Sequence, residues 1–351
     1  MRRAVAAAMV AALACTCGCG SDSPKLDPGP VRWLKGQLHA HSANSMDSAE
    51  APPSVQRRYA ELEFDFVVFT DHNYVTETAP VDGVLAIRGV ELTQNLRLCD
   101  PPSEPGMPCL LHASALFVDG DAPARIHFNT PFDRRRVPLL QRAIDVARER
   151  GGLAMINHPN YHYAIDAAGF AELARGGATL LEIANQHPRV NNRGDATHPD
   201  TEALWDAAMS EGVTLWGVAT DDAHHYSDAG DYQLASGLEP VTPGRGWVMV
   251  RARLDPASIR DAVERGDFYA TTGVELARAE LADGALHIAV ADDQTAGPYW
   301  IRFIGQGGRL LREVPGPAAS FRLADAPPGY LRADITSAQG KRAWVQPVRT
   351  P

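Results

Sequence analysis

Two histidines one residue apart, His39 and His41, end a segment of alternating apolar and polar residues near the start of the chain. On a β-strand, residues two apart point to the same side, so both imidazoles would face one way from a stiff backbone. Imidazole nitrogens are good ligands for transition metals. The same pair could also be two ordinary polar side chains on a surface strand, so its meaning depends on whether similar residues recur along the chain.

They do recur, at the strands predicted further along. Apolar runs are followed by, or carry, His, Asp or Glu at six later places in the sequence. In parallel α/β folds the functional side chains gather at the carboxyl ends of the strands, so we expect these residues to meet at one rim. Any one of them could be an exposed histidine or a loop cap, but the joint pattern favours a metal site. They are Asp71, His72, Glu91, His112, His158, Glu182, Asp222 and His224.

The elements that would position these residues alternate between strand and helix. Residues 31–273 contain seven predicted strands, most of them separated by amphipathic helical segments, which indicates a parallel sheet or barrel. Residues 274–351 carry short strand-like runs between Gly, Pro and Asp turns. We expect them to form a small antiparallel β-domain.

The composition is that of a globular protein and limits the classes of partner. The 351 residues suffice for one large α/β domain and a smaller one, and the formal net charge is −10. A dedicated nucleic-acid-binding surface would need a basic excess, so we predict none. Clustered carboxylates can still hold divalent cations.

The first 19 residues have the pattern of an export signal. Two arginines precede an uncharged, Ala-rich run that is too short for a permanent membrane span, and three cysteines follow. Cys15 is the predicted lipidated residue and Cys19 a second candidate, with residues 20–30 as a tether. We therefore expect a periplasmic or cell-surface protein that contacts the membrane only through a lipid anchor, the alternative being a plain secretory signal.

The two remaining cysteines, Cys99 and Cys109, bracket a Pro-rich segment. In an exported protein this spacing predicts a disulfide that closes the loop. A metal pair is the weaker alternative because neither cysteine has a partner cysteine nearby.

Five short motifs, in this order, resemble those of the PHP (polymerase and histidinol phosphatase) superfamily of metal-dependent phosphoesterases. The resemblance covers about residues 31–273 and is far more specific than any one motif. The matching segments are His39-Ala40-His41-Ser42, Thr70-Asp71-His72-Asn73, Gly89-Val90-Glu91, Asn157-His158-Pro159 and Asp222-Ala223-His224.

The resemblance implies a distorted seven-stranded (β/α) barrel and a centre of two or three divalent transition metals. Mixed imidazole and carboxylate ligands favour Zn, Mn or Fe. Asp47 lies one residue further from His41 than the usual pattern places this acid. By motif, one metal would be held by His39, His41, Glu91 and Asp222, a second by Glu91, His112 and His158, and a third by His72, His224 and Asp47.

The implied activity is hydrolysis of small phosphorylated molecules by a metal-bound water held at Glu91 and Asp222. Asp71 and Glu182 would orient the ligands as hydrogen-bond acceptors. Side chains in the loops after the strands could bind substrate; the candidates are Arg97, Arg189, Arg193 and His162. Two alternatives stay open: a metal-dependent hydrolase of amide or ester bonds, and a surface binding protein with a structural metal site.

Overall fold

A computed structural model describes residues 28–127, 133–291 and 297–351 of the chain. The predicted signal sequence, Cys15 and most of the tether lie outside these ranges. Among the described residues there are sixteen β-strands and six α-helices. None of these helices is long and apolar enough to cross a membrane.

The first seven strands carry the motif residues described above. They are β1 (Arg32–Ala40), β2 (Phe66–Phe69), β3 (Leu85–Leu96), β4 (Cys109–Leu116), β5 (Leu153–Ile156), β6 (Ala178–Asn185) and β7 (Trp216–Thr220). Four helices lie between them: α1 (Pro52–Glu61), α2 (Arg136–Glu149), α3 (Ala167–Arg175) and α4 (Thr201–Ser210).

The second part of the chain is mostly strand. It begins with α5 (Ala229–Ser236), β8 (Trp247–Ala252), α6 (Pro256–Arg265) and β9 (Phe268–Thr271). The remaining strands are β10 (Leu276–Ala282), β11 (Ala285–Val290), β12 (Tyr299–Gly305), β13 (Arg309–Pro315), β14 (Ala318–Arg322), β15 (Gly329–Ser337) and β16 (Arg342–Thr350).

Aspartates mark where three of the helices begin. The side chains of Asp166, Asp200 and Asp255 accept hydrogen bonds from the backbone N–H three residues later, at 2.9, 2.6 and 2.8 Å. These caps satisfy N–H groups that have no partner inside the helix. The capped helices α3, α4 and α6 therefore have starts that the sequence itself specifies.

The predicted seven-stranded barrel is wrong. Thirteen strands form one mixed sheet in the order β13-β12-β15-β16-β9-β8-β1-β2-β3-β4-β5-β6-β7, and β10, β11 and β14 form a second sheet of three strands. Among the described residues this order does not close into a barrel, since β7 lies at one end of the large sheet and β13 at the other.

Closing a barrel would require β7 to pair with β1, but both edges of β1 are already paired. Residues Arg32 to Gly36 of β1 pair antiparallel with β8, and the other edge of β1 pairs parallel with β2. The residues just after β7 therefore reach β1 only near its carboxyl end, through a bridge between Ala40 and Ala223. Four of the C-terminal strands, β12, β13, β15 and β16, extend the same sheet, because β16 pairs with β9. The division into domains at residue 273 stays a prediction.

The sheet is mixed, and one of its antiparallel strands lies among the strands that carry the motif residues. Strand β4 pairs antiparallel with both β3 and β5. The link from β3 to β4 is the short Pro-rich loop, and only a longer crossover could bring β4 back parallel to β3. The run of parallel strands expected from the sequence is therefore interrupted at β4.

The predicted disulfide is confirmed. Cys99 and Cys109 are bonded, with their Cα atoms 6.1 Å apart, and both cysteines are buried. The bond closes the loop that joins β3 to β4, so it holds the two strands together at the end where the chain leaves the sheet.

Replacing both cysteines by serine is expected to lower the free energy of unfolding by about 2–3 kcal/mol, because a cross-link over a loop of this length restricts the unfolded chain. Urea denaturation monitored by circular dichroism measures the change. A reductant should shift the wild-type midpoint in the same direction and leave the double variant unaffected. Equal midpoints for the two proteins without reductant would show that the bond does not stabilise the fold.

Candidate metal centre

The motif residues meet at one edge of the large sheet. His39 is in β1 and His41 follows it, while His72 follows β2 and pairs with Glu91 of β3 through an isolated bridge. His158, Asp222 and His224 follow their strands, and His112 lies within β4. Strand ends thus deliver most of these side chains to one place, and Glu91 and His112 reach it from within β3 and β4.

Close approach of β3 to β2 depends on Gly89. A Cβ atom at this position would lie 2.7 Å from Cγ1 of Val68 and 2.8 Å from the carbonyl oxygen of Phe69. Such contacts are shorter than real Cβ atoms tolerate, so the glycine lets β3 lie against its neighbour. Glu91, two residues later, is placed in the site as a result.

Three overlapping groups of side chains could each hold a metal ion. In each group, one donor atom per residue lies within 4.8 Å of all the others. Two of the groups share Glu91, and His41 and His72 also belong to two groups each. The groups are His39, His41 and Glu91; His72, Glu91 and His112; and His41, Asp47, His72 and His224.

Two further predicted ligands lie against these groups. Asp222 Oδ1 is 3.2 Å from Nε2 of both His39 and His41, so it joins the first group. His158 Nε2 is 3.2 Å from both Glu91 Oε1 and His112 Nδ1, and joins the second. All nine sequence-predicted metal ligands are therefore brought together.

The displaced acid Asp47 reaches the third group. Its Oδ2 atom is 3.0 Å from His72 Nε2 and 3.4 Å from His224 Nε2. A 3₁₀ turn at Ala43–Ser45 lies between His41 and Asp47, followed by Met46 in a left-handed conformation. This compact turn absorbs the extra residue.

Glu91 is the centre of the arrangement. Its carboxylate lies within 3.5 Å of ring nitrogens from five histidines: His39, His41, His72, His112 and His158. The side chain is 1 % exposed. A buried carboxylate surrounded by imidazoles is a donor set that could hold a transition metal.

Hydrogen-bond acceptors outside the cluster fix the orientation of four histidine rings. Nδ1 of His39, His41 and His224 faces Glu182 Oε1, Ser45 Oγ and the carbonyl oxygen of Asp222, at 2.7, 2.8 and 2.7 Å. Nε2 of His112 faces Asn95 Oδ1 at 2.7 Å. In the neutral tautomers these acceptors hold the proton on the outer nitrogen, which leaves the inner nitrogen with a lone pair.

The ring nitrogens and carboxylate oxygens that face the centre of the cluster are arranged to bind a cation and are poorly arranged to hydrogen-bond with one another. His39 Nε2 and His41 Nε2 are 3.1 Å apart, and both face the same carboxylate oxygen of Asp222. Glu91 Oε2 is buried and makes no hydrogen bond of good geometry among the described residues, although His72 Nδ1 lies 2.7 Å from it. Converging lone pairs with few donors between them are what divalent metals require.

The carboxylates of the cluster are charged. Burial would raise the pKa of Glu91, but His112, His72 and His39 outweigh it and hold the pKa well below its usual value. The pKa of Asp222 is held well below its usual value against burial by His39 and His41. Both side chains are therefore ionised and able to act as ligands over the physiological pH range.

The histidines respond to the same charges in different ways. Burial and the neighbouring His224 lower the pKa of His41 to about 3, so its ring is neutral. Burial also acts to lower the pKa of His72, but Glu91 and Asp47 outweigh it and raise the value to about 10. The pocket thus attracts positive charge, whether as protons or as metal ions, to the face shared by Glu91 and Asp47.

Two buried acids support the ligands from behind. Glu182 accepts from His39 Nδ1, Thr220 Oγ1, the backbone N–H of His158 and Asn185 Nδ2, at 2.6–2.9 Å. Asp71 accepts from the N–H and hydroxyl of Ser42 and from the hydroxyl of Thr76. Glu182 therefore orients ligands on two strands, and Asp71 anchors the turn after the two histidines.

Two ligand positions have unusual backbone conformations. His158 and Asp222 have φ values of 24° and 53°, in the left-handed region that few residues other than glycine adopt. Each such conformation costs about 1–3 kcal/mol. Hydrogen bonds hold both backbones in place: the N–H of His158 donates to Glu182 Oε2 at 2.6 Å, and the N–H of Asp222 donates to the carbonyl oxygen of His39 at 3.1 Å.

A cavity of about 380 Å³ opens onto the cluster. Of the four predicted substrate-binding residues, only Arg189 lines it. Arg193 lines a different cavity, Arg97 is exposed at the end of β3, and His162 Nδ1 donates to the carbonyl of Pro108. The structure does not bring these three to the site.

Several residues that line the cavity were missed by the sequence analysis. Four of them lie in loops, where no apolar periodicity marks a position, and the other three lie near the ends of β3 and β4 or in α5. The clearest signal was the sequence Asn185-Gln186-His187 directly after β6. The missed residues are Asn95, Leu110, Tyr161, His187, His225, Tyr232 and Val241.

Comparisons with known proteins give little further guidance. No protein-family model and no curated protein matches the chain. One similar solved structure is an endonuclease/exonuclease/phosphatase from Beutenbergia cavernae, which is 13% identical over 90% of this chain and 99% of that chain, with a TM-score of 0.22. That similarity is too low to establish a shared fold, so we take the chemistry of the site from its own residues.

Proposed function

We propose that this protein is a metal-dependent hydrolase whose substrates are phosphate esters of small molecules. The observation that carries the proposal is the Glu91 carboxylate among five imidazoles, with Asp222 and Asp47 at its flanks. When bound, two or three divalent cations would make a water molecule acidic enough to act as a nucleophile and would offset the charge of a phosphate.

The chain's own residues have distinct roles in this proposal. Glu91, Asp222 and the surrounding histidines hold the cations, and Zn, Mn or Fe suit such mixed ligands. Glu182 and Asp71 fix the orientation of the ligands. Arg189, at the mouth of the cavity, is exposed and its guanidinium has no hydrogen bond or ion pair among the described residues. It is free to bind an anionic substrate.

Arg189 favours phosphate esters over neutral amides or esters. It is the only Lys or Arg among the described residues that line the cavity. A guanidinium binds phosphate oxygens in a bidentate manner and offers less to an uncharged acyl group. The resemblance of five motifs to the PHP superfamily supports the same substrate class without depending on the barrel, which the structure does not have.

We propose further that the protein acts outside the cytosol, in the periplasm or on the cell surface. The Cys99–Cys109 disulfide supports this, because such bonds persist in oxidising compartments. A lipid anchor at Cys15 belongs to the same proposal. The expected partners are small phosphorylated molecules, and no nucleic-acid-binding role is proposed.

Metal analysis followed by a substrate panel tests the function. Purified protein should contain two to three transition metals per chain by inductively coupled plasma mass spectrometry. The protein should hydrolyse phosphate monoesters, and a chelator should abolish this activity. Adding back Zn, Mn or Fe should restore it for at least one of these elements. Protein without bound metal would refute the proposal. Cleavage of acyl substrates alone would assign an amide or ester hydrolase, and a metal-bound protein inactive on the whole panel would indicate a binding protein.

A further inference from the structure

The turn after β6 presents a histidine to the cavity that belongs to none of the three ligand groups. His187 is 7 % exposed and lines the cavity. Its ring lies 5.2 Å from that of Tyr161 and 6.2 Å from that of the ligand His224, measured between centroids. The residue is therefore close to the metal centre, although its own bonding differs from that of the ligands.

The proton on this ring has a fixed position. Nδ1 of His187 accepts a hydrogen bond from the backbone N–H of Arg189, at 3.1 Å. Since that lone pair is used, the neutral ring must carry its hydrogen on Nε2. The four ligand histidines with fixed tautomers have the opposite arrangement, in which an outer acceptor holds the proton and the inner nitrogen is bare. His187 offers a donor where the ligands offer lone pairs.

The donor has no partner among the described residues. No acceptor in this part of the chain lies within hydrogen-bond distance of His187 Nε2, although the ring is almost fully buried. Nε2 itself is not fully buried, so in the free protein this N–H faces the solvent of the cavity. An oxygen of a bound molecule would replace that water as the acceptor.

The turn is tied to the metal ligands, so the donor is held in place. The backbone N–H of His187 donates to Asn185 Oδ1 at 2.8 Å. The amide nitrogen of Asn185 donates in turn to Glu182 Oε2 at 2.9 Å and to Asp222 Oδ2 at 3.1 Å. The same turn carries Arg189, whose guanidinium is free among the described residues. An N–H donor and a cation therefore reach the cavity from one rigid segment.

We infer that His187 is a substrate-binding residue that donates a hydrogen bond from Nε2 to an oxygen of the phosphoryl group, and that it is not a metal ligand. With Arg189 it forms an anion-binding arm beside the metal centre. The inference rests on the proposed function and deepens it, because it requires an anionic, multi-oxygen substrate.

Two substitutions distinguish the contribution of the Nε2–H donor from that of the aromatic ring. His187→Phe keeps the aromatic contact with Tyr161 and removes the N–H, whereas His187→Gln keeps an N–H donor. Isothermal titration of metal-loaded protein with inorganic phosphate should show binding weakened about tenfold in His187→Phe, as expected for one lost hydrogen bond to a charged acceptor. His187→Gln should recover most of the affinity.

Metal content provides the second readout and His287→Phe the control. His287 lies in the small sheet and bonds to Ser320 and Ala282, outside the cavity. All three variants should hold as much metal as the wild type. Reduced metal content in His187→Phe would make His187 a ligand and overturn the inference, as would unchanged phosphate binding. A wild type without metal would refute the proposed function itself, so the two failures are distinguishable.

Discussion

Glu91→Gln is expected to release metal and to abolish hydrolysis. The substitution preserves size but removes the charge around which five imidazoles are arranged, and it places an amide NH₂ group against ring nitrogens. Removing a residue that only orients a metal ligand typically lowers metal affinity or activity by about 10–100-fold. For a ligand itself, we therefore expect activity on phosphate monoesters to fall by at least about 100-fold. Elemental analysis should show fewer metals per chain than the wild type.

Thermal denaturation with and without a chelator tests the same substitution without a substrate. A metal present at 1,000 times its dissociation constant stabilises the fold by about 4 kcal/mol. A chelator should therefore lower the thermal midpoint of the wild type, and it should lower that of Glu91→Gln much less. Glu91→Asp, which keeps the charge on a shorter side chain, should fall between the two.

The matched control is Glu61→Gln. Glu61 lies on α1 and, among the described residues, forms an ion pair only with Arg58, in which both side chains are about half exposed or more. Its substitution should leave metal content, activity and the effect of the chelator unchanged. A Glu91→Gln protein that retained the full metal complement would contradict the role of Glu91 as a metal ligand, whatever its activity.

The site was largely predictable from sequence because its residues follow strands with a clear local pattern. Each ligand lies within a few residues of an apolar run, and the rule that such side chains gather at strand ends needs no knowledge of the remaining fold. Asp47 was harder to predict, since a 3₁₀ turn sets its position. His187 and Tyr161 were missed as site residues because loop backbone, not periodicity, directs them into the cavity.

The sheet was less predictable because its decisive pairing is distant in sequence. Strand β8 lies about two hundred residues after β1 yet occupies its free edge. The apolar pattern of β8 would be the same at the end of a barrel and in an extended sheet. Whether β8 pairs with β1 therefore depends on which edge of β1 is left unpaired by the other strands. The antiparallel position of β4 had a local cue, namely the absence of a helix in the loop closed by Cys99 and Cys109.

A second structural feature, remote from any motif, links α4 to the strands near the end of the chain. Arg332 on β15 is buried and makes two hydrogen bonds to Asp206 on α4, at 2.7 and 2.6 Å. The hydroxyl of Tyr330 also donates to Asp206, at 2.7 Å. Asp206 is thus the only carboxylate with hydrogen bonds to this guanidinium among the described residues, and the pKa of Arg332 is raised because these contacts outweigh burial.

Asp206→Ala is expected to be the most destabilising of the substitutions considered. It would remove the one carboxylate that is hydrogen-bonded to the buried Arg332 guanidinium among the described residues, and breaking a buried ion pair from one side costs about 3–5 kcal/mol in proteins. Urea denaturation followed by tryptophan fluorescence measures the loss, and Trp205, whose ring lies 5.0 Å from the guanidinium, is a local reporter. Glu211→Ala is the control, because its pair with Arg175 is about half exposed on both sides and should contribute no more than about 1 kcal/mol.

A paired replacement separates the cost of an unpaired charge from the value of the ion pair. Asp206→Leu combined with Arg332→Met removes both charges and fills the space with apolar side chains, so it should recover much of the stability that Asp206→Ala loses. If the double variant were as unstable as Asp206→Ala, the ion pair itself would be the source of stability. If Asp206→Ala cost no more than Glu211→Ala, the guanidinium would have to reach water or another acid, such as Glu202, whose Oε2 lies 3.7 Å from Arg332 Nη2.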